Sequence, residues 1–349
     1  MYRHDLANQI WSGFVFLALF FTSTFVSNAG ISISVGLLAV LTLYMHYKNN
    51  YGWPILQKGF LYPYIIFFLL LFVATIPLFD FPSLHKLWRC FYWSLPVFLF
   101  YYAGAVRNFP KIFEKSTLFS MLFLSGYTLY LVVTLPEGTR ISGTLSNPNL
   151  YAVLLELILP YVICIALIYI KHKDYKKTTC LIAAILSVAG VLSLLFTQSR
   201  GGCIGFFAGL MFLLLLKVYM MKISSTGISI KKICMCAMLI VVLVGGFFSQ
   251  IDKLSRSYDY ERILLWTSSY HMWEDHKMFG VGLANWKDAY EEKYILPAAK
   301  EHDLTMPHNV FMIFLSQTGI IGTFGYLVFL IGIMVFLIKK IIGGSSNYL

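Results

Sequence analysis

Residues 148–170 read PNLYAVLLELILPYVICIALIYI, a long apolar run that contains a single charged residue, Glu156. A helix of about 20 apolar residues is long enough to cross the roughly 30 Å hydrocarbon core of a bilayer. This stretch therefore predicts a transmembrane helix. The composition extends the prediction to the whole chain, because 58% of its residues are hydrophobic, only 12% are charged and the mean hydropathy is +0.73. Such values are typical of an integral membrane protein.

The apolar runs predict an all-α fold, a polytopic transmembrane helical bundle of about ten spans. Long runs of this kind are not the short alternating segments of a β-barrel. Because the given sequence ends soon after Lys339 and Lys340, more than ten spans is an alternative. The predicted spans are residues 10–28, 29–47, 60–79, 84–106, 112–135, 148–170, 178–197, 201–221, 233–250 and one that begins near Gly319.

One long polar segment, residues 251–307, separates the last two spans and holds 17 of the 43 charged residues. Placing the N-terminus in the cytoplasm puts 16 of the 27 Lys and Arg residues on the cytoplasmic side. This arrangement follows the positive-inside rule, so the basic net charge of +11 reports topology and does not indicate nucleic-acid binding. The long segment is then an outer, periplasmic loop.

We accordingly divide the chain into four segments. Residues 1–135 are N-terminal membrane helices, and residues 136–250 are membrane helices with short outer loops that carry Arg140 and Arg200. Residues 251–307 are the large outer loop, and residues 308–349 hold a His-Asn pair and the C-terminal membrane helix.

Three charged residues are unexpected at membrane level. Arg140 lies in the turn-rich loop GTRISGTLSNPN, where it is either a solvated charge or a functional one. Arg200 lies in TQSRGG between two apolar spans, so its guanidinium either reaches lipid head groups or binds an anionic group such as a phosphate. Glu156 lies two turns into its span, where a carboxylate is costly unless it is paired or protonated, and we expect it to pair with an arginine such as Arg140 or Arg200, with proton transport as the alternative.

The outer loop carries two further groups of interest. Arg262 and Trp266 are spaced i, i+4 in YERILLWTSSYHMWEDH, which predicts an amphipathic helix. We expect its apolar face, Ile263, Trp266, Tyr270 and Trp273, to lie on the membrane surface or the top of the bundle. His308 and Asn309 precede the final apolar run, where His308 is a helix cap or a catalytic group. A metal site built from the four histidines of the loop is an alternative, but their spacing matches no strong metal signature.

Taken in order, these residues resemble the O-antigen ligase and polysaccharide polymerase family of membrane glycosyltransferases. The resemblance rests on an ordered set of four motifs between about Arg140 and Gly322, and it departs from the family at Lys277, where proline is common. The motifs are RISGTLSNPNLYA, TQSRGG, R-x-x-x-W followed by FGVG, and His308-Asn309 followed by nine residues and GIIG.

The resemblance implies a GT-C-like enzyme in the bacterial inner membrane, with its active site facing the periplasm. Such an enzyme transfers a glycan from undecaprenyl diphosphate to a hydroxyl group, which in the ligases belongs to the lipid A core. By resemblance, Arg200 and Arg262 bind the diphosphate and His308 is the catalytic base. We regard Arg140, Glu156, Asn309 and Trp266 as candidates for supporting roles. No cofactor or metal is implied, and the partners are the carrier-linked donor, the lipid A core acceptor and membrane lipids.

Elementary chemistry agrees with these roles. Two guanidinium groups can bind the oxygens of a lipid diphosphate without a metal, and they stabilise the charge that develops as the glycosidic bond breaks. A neutral imidazole can accept the proton of the attacking hydroxyl, and a single displacement inverts the anomeric carbon. A polymerase that uses the same donor remains an alternative, as does a transporter in which Glu156 and Arg200 line the pathway, although no internal repeat is visible.

Overall fold

The structure is a computed structural model that describes residues 2–49, 56–104, 109–171, 176–223 and 256–344. All regular secondary structure in these ranges is helical. The α-helices, in chain order from α1 to α11, are Tyr2–Thr24, Asn28–Asn49, Lys58–Thr75, Phe81–Gly104, Phe109–Thr134, Pro148–Lys171, Lys177–Phe196, Arg200–Ile223, Arg256–Asp275, Trp286–Ala289 and Val310–Gly344. A π-helical turn, Tyr290–Tyr294, directly follows α10.

Six of these helices are long and apolar enough to cross a membrane, namely α2, α3, α5, α6, α7 and α11, and shorter apolar stretches lie in α1 and α8. Many of their large apolar side chains are exposed, such as Val133 at 76% and Leu157 at 72%, as expected for helices that contact lipid. The all-helical prediction is thus confirmed within the described ranges. Six spans are identified there where the sequence predicted about ten, and the predicted span 233–250 lies outside the described residues.

The final helix corrects the sequence prediction. It begins at Val310, well before the expected start near Gly319, and Gly319 is instead a kink within it. Gly319 has a φ of 60° and a ψ of −159°, a combination that is open to glycine and strongly unfavourable for other residues. The kink divides α11 into a short first segment, residues 310–318, and a long second segment, residues 320–344.

The described residues form two compact units. Unit 1 comprises Met1–Pro54 and Val97–Ser249, and unit 2 comprises Ile55–Pro96 and Gln250–Leu349. The residues predicted to form the site are divided between them: Arg140, Glu156 and Arg200 belong to unit 1, whereas Arg262, Trp266, His308 and Asn309 belong to unit 2.

In unit 1, α6 packs against α7 and α8, and α5 packs against α1, α6 and α7. The buried side chains Met121, Leu155, Leu159 and Leu194 lie at the centre of this packing. Tyr151 is fully buried in α6, and its hydroxyl group lies 2.8 Å from that of Thr128 and donates to the Leu124 carbonyl at 3.0 Å. These contacts fix the N-terminal end of α6, which follows the loop that carries Arg140.

In unit 2, α3 packs along α11, and α9 packs against both α11 and the π-helical turn. The buried face of α9 includes Leu265, Ser269 and Met272, and it packs with Trp286 and Tyr290. The apolar face predicted to lie on the membrane surface or the top of the bundle is a different one: Ile263 and Tyr270 are exposed, and Trp266 and Trp273 are partly buried.

Candidate active site

Arg140 connects two turns of unit 1, the one before α6 and the one between α7 and α8. Its Nε donates to the Thr197 carbonyl at 3.2 Å, and its Nη2 donates to Asn149 Oδ1 at 2.9 Å. The neighbouring Ile141 N–H donates to the Phe196 carbonyl at 3.1 Å. Although the side chain is exposed, it is not merely a solvated charge, because it connects the RISG loop to the turn that precedes Arg200.

Arg200 is the first residue of α8 and is partly buried. Ser199 precedes it as the cap, and its hydroxyl group accepts a hydrogen bond from the Gly202 N–H at 3.3 Å while its carbonyl accepts one from Cys203. The two following glycines differ in role. Gly202 lies against Ala152 of α6 and allows close helix packing, whereas a Cβ at Gly201 would meet no atom within 4 Å.

The expected ion pair of Glu156 is not found in the described part of unit 1. Glu156 Oε2 is buried and has no hydrogen-bond partner there, and the carboxyl group lies beside Gly205 of α8. Arg140, the nearer of the two expected partners in sequence, donates to Thr197 and Asn149 instead. The missing side chain of Gly205 provides the space that the Glu156 carboxyl group occupies.

Trp266 connects α9 to the residue that precedes His308. Its indole N–H donates to the Pro307 carbonyl at 3.0 Å, so the R-x-x-x-W motif contacts the residue directly before the His-Asn motif. Arg262 lies one turn before Trp266 on the same side of α9, because residues spaced i, i+4 are neighbours on a helix surface. The Arg262 side chain is exposed, and no carboxylate of the described ranges forms an ion pair with it.

His308 and Asn309 have distinct positions at the start of α11. Asn309 is the cap, since its Oδ1 accepts a hydrogen bond from the Met312 N–H at 3.2 Å and its carbonyl accepts one from the Ile313 N–H at 2.9 Å. His308 is exposed and has a φ of 53°, in the left-handed region that costs a non-glycine residue about 1 kcal/mol or more. The cap role left open for His308 thus belongs to Asn309.

The FGVG turn is bound to the kink of α11 by backbone hydrogen bonds. At the kink, the Ser316 and Gln317 carbonyls accept from Val281 at 2.9 Å and Gly282 at 3.0 Å. In return, the Lys277 and Met278 carbonyls accept from the Ile320 N–H at 2.9 Å and the Ile321 N–H at 3.3 Å. The turn therefore supplies the partners that the broken helix lacks.

Glycine is required on both sides of this contact. A Cβ at Gly280 would overlap the backbone of Gln317, and one at Gly319 would overlap the backbone of Met278. Both residues also have positive φ angles, 69° and 60°. Lys277, the departure from the family pattern, contributes its carbonyl group, which a proline would also have, so the departure leaves this contact intact.

Sequence reasoning missed a second connection to the outer loop. Asp80 lies between α3 and α4, where its Oδ1 accepts from the Ser83 N–H at 2.6 Å and its Oδ2 accepts from the Asn285 side chain at 2.8 Å. Desolvation opposes ionisation, but these hydrogen bonds outweigh it and lower the pKa of Asp80. An aspartate before a helix is a recognisable cap signal, whereas nothing in the sequence links it to Asn285.

Glu261, the neighbour of Arg262, was also missed. Its side chain is buried, and its Oε2 accepts a hydrogen bond from the Lys300 N–H at 3.1 Å. Burial, together with the charges of Glu261 and Glu301, raises the pKa of Tyr290, whose hydroxyl group donates to the Glu301 carbonyl at 3.1 Å. Glu261 thus holds the last part of the loop on α9. Nothing in the sequence indicated that the charged side chain of Glu261 is buried.

The histidines of the loop do not gather into a metal centre in the part of the chain that the structure describes. No group of three or more His, Cys, Asp or Glu residues there is arranged to hold a metal ion. His271, His276 and His302 are exposed, and the ring of His302 lies 3.0 Å from the Ala299 carbonyl.

The structure is that of a helical, multi-pass membrane protein. Within unit 2, the FGVG turn contacts the kink of α11 and Trp266 contacts the residue before His308. Residues 182–327 match the family model described as O-antigen ligase, the family that the ordered motifs resemble. The matched region includes Arg200, Arg262, Trp266, His308 and Asn309, and it excludes Arg140 and Glu156. No curated protein matches the chain.

Proposed function

We propose that this protein is an O-antigen ligase that transfers a glycan from undecaprenyl diphosphate to a hydroxyl group of the lipid A core. The protein would lie in the bacterial inner membrane with the loop and the active site facing the periplasm. The family match supports a glycosyltransferase of this general kind. The donor, the acceptor and the residue roles are our proposal.

The main support for the proposal is the exposure and backbone conformation of His308. The residue is exposed, adopts a left-handed backbone conformation and leaves helix capping to Asn309. Backbone strain that persists beside a satisfied cap is frequent at functional sites, where surrounding contacts hold a side chain in place. Here the Trp266 indole holds the preceding Pro307 carbonyl.

In the reaction, the acceptor oxygen attacks the anomeric carbon of the glycan and its proton passes to the His308 imidazole. The bond between that carbon and the diphosphate oxygen breaks, and undecaprenyl diphosphate leaves with the bonding electrons. Arg200 and Arg262 bind the diphosphate and stabilise its growing negative charge. This single displacement inverts the anomeric centre, and no step requires a metal ion.

Arg140 would act through Arg200 and not on the substrate, because its guanidinium holds the turn that precedes α8. Glu156 has a packing role in this scheme, since its carboxyl group lies beside Gly205. Arg200→Ala should therefore weaken binding of undecaprenyl diphosphate strongly, and Arg140→Ala should weaken it less. Equal affinity of the Arg200→Ala and wild-type proteins for that carrier would rule out the phosphate role of Arg200.

The central test mixes purified protein with carrier-linked glycan and lipid A core and identifies the product. We expect a core-linked glycan with inverted anomeric configuration from the wild type and none from His308→Ala. His276→Ala is the matched control, because it removes another exposed histidine of the loop and should retain wild-type turnover. Wild-type turnover of His308→Ala would refute the base assignment.

The same assay separates the alternatives. A longer carrier-linked chain without a core-linked product would identify a polymerase. Activity should survive exhaustive chelation, and its loss on chelation followed by recovery with added metal would contradict the metal-independent mechanism. Arg262→Lys, which keeps the charge but loses the planar fork of donors, should recover only part of the activity that Arg262→Ala loses.

A further inference from the structure

One side of α9 continues beyond Arg262 and Trp266 to a pair of aromatic residues. Because an α-helix has 3.6 residues per turn, Arg262, Trp266, Tyr270 and Trp273 lie within an arc of about 80°. Tyr270 follows Arg262 by eight residues, which places it about 12 Å further along the helix axis. The stripe runs from the proposed diphosphate-binding residue toward the C-terminal end of α9.

The end of this stripe carries an exposed aromatic cluster. The Tyr270 side chain is 43% exposed, and its ring centroid lies 5.3 Å from that of Trp273 and 6.4 Å from that of His271. Glu274 lies four residues further along α9, and its charge raises the pKa of Tyr270. An exposed ring is thus supported by a second ring and has a carboxylate nearby.

Fold stability does not account for this cluster, because α9 packs into unit 2 through Leu265, Ser269 and Met272. A lipid interface also fits poorly. Tyr270 and Trp273 alone would suit the head-group region, but the exposed carboxylate of Glu274 lies on the same turn, and anionic lipid surfaces attract basic residues.

The chemistry fits a carbohydrate. A sugar ring has an apolar face that can pack on an aromatic ring, and its hydroxyl groups donate hydrogen bonds that a carboxylate accepts. Binding sites for small polar ligands combine such apolar surfaces with a few fixed polar groups. The cluster supplies the aromatic face through Tyr270 and the acceptor through Glu274.

We propose that Tyr270, Trp273 and Glu274 form a subsite for a sugar residue of the carrier-linked glycan, beyond the sugar that is attached to the diphosphate. The proposal rests on the proposed function, since Arg262 must bind the diphosphate for the glycan to extend along α9. These three residues would bind the glycan at a distance from the glycosidic bond that is broken.

The test measures binding of two ligands to purified full-length protein: undecaprenyl diphosphate without sugar, and the same carrier with an oligosaccharide. The wild type should bind the oligosaccharide-bearing carrier more tightly. Tyr270→Ala should weaken binding of that ligand about tenfold and leave the sugar-free carrier unaffected. Tyr270→Phe should retain most of the affinity because it keeps the ring, and Glu274→Gln should weaken it partially.

Tyr260→Ala is the matched control. Tyr260 is 52% exposed on the same helix but lies outside the stripe, so its removal should change neither affinity. Equal weakening of both ligands by Tyr270→Ala, or no effect on either, would overturn the subsite. A different result would contradict the proposed function itself: Arg200→Ala and Arg262→Ala would bind the sugar-free carrier as tightly as the wild type does.

Discussion

Gly280 and Gly319 form the two sides of one backbone contact, in which each lies against the peptide chain that carries the other. The contact exchanges four hydrogen bonds between the FGVG turn and the kink of α11. Because the kink separates residues 310–318 from the rest of α11, the loop holds the short segment that begins just after His308 and Asn309. The turn thus helps to set the position of the proposed base.

Alanine at either glycine should disrupt this contact. Gly280→Ala and Gly319→Ala each place a Cβ in backbone atoms at a residue with positive φ, so we expect a loss of about 2 kcal/mol or more of stability and near-complete loss of turnover. Thermal unfolding in detergent and glycan transfer are the measurements. Gly126→Ala is the control, because a Cβ there meets no atom within 4 Å and alanine favours the helix. Unchanged melting of both variants would contradict the proposed rigidity of the contact.

The sequence predicted the parts of this contact but not their pairing. Glycines in FGVG and GIIG indicated turns, yet local patterns carry no information on which distant backbones meet. The same limit applies to Asp80 and Asn285, which are 205 residues apart. By contrast, the apolar helices follow from composition and periodicity alone, so they were predicted directly.

His308 and Glu156 show a second limit of sequence reasoning. The pair His308-Asn309 contains a good cap, but only the backbone angles and the Met312 hydrogen bond assign that role to Asn309. The Glu156 carboxylate was expected to pair with an arginine because burial of a charge is costly. The small residue Gly205 accommodates the carboxyl group instead, a detail that depends on how α6 and α8 pack.

The cap assignment predicts how Asn309 responds to substitution. Asn309→Ala removes the acceptor for the Met312 N–H and should lower stability by about 1 kcal/mol. Asn309→Ser and Asn309→Asp retain a capping oxygen and should melt close to the wild type and keep most of its turnover. If both conservative variants were stable but inactive, Asn309 would contact the substrate in addition to capping α11.

The Trp266 hydrogen bond predicts an effect on turnover. Trp266→Phe keeps an aromatic ring but loses the N–H that holds the Pro307 carbonyl, so His308 should be less well positioned. We expect kcat to fall about tenfold with little change in the KM for the donor, since a net hydrogen bond contributes about 1 kcal/mol.

Trp93→Phe is the matched control for Trp266→Phe. Trp93 lies in α4, is 44% exposed and is not one of the proposed site residues. An equal fall in kcat for both variants would contradict a specific role of the Pro307 hydrogen bond.

The lowered pKa of Asp80 predicts a pH dependence of stability. A carboxyl group whose pKa is lower in the folded state stabilises the fold above its unfolded pKa, near 3.8, and this contribution is lost as the pH falls through the folded-state value. Asp80→Asn cannot ionise, and its side chain has only one acceptor oxygen. It can therefore accept from the Ser83 N–H or from the Asn285 side chain, but not from both. We therefore expect the variant to be about 1 kcal/mol less stable than the wild type at neutral pH, with a difference in stability that narrows between about pH 5 and pH 2.

Thermal melting of wild type, Asp80→Asn and the exposed-site control Asp288→Asn across this range measures that difference. A constant difference between wild type and Asp80→Asn would mean that ionised Asp80 does not hold the outer loop.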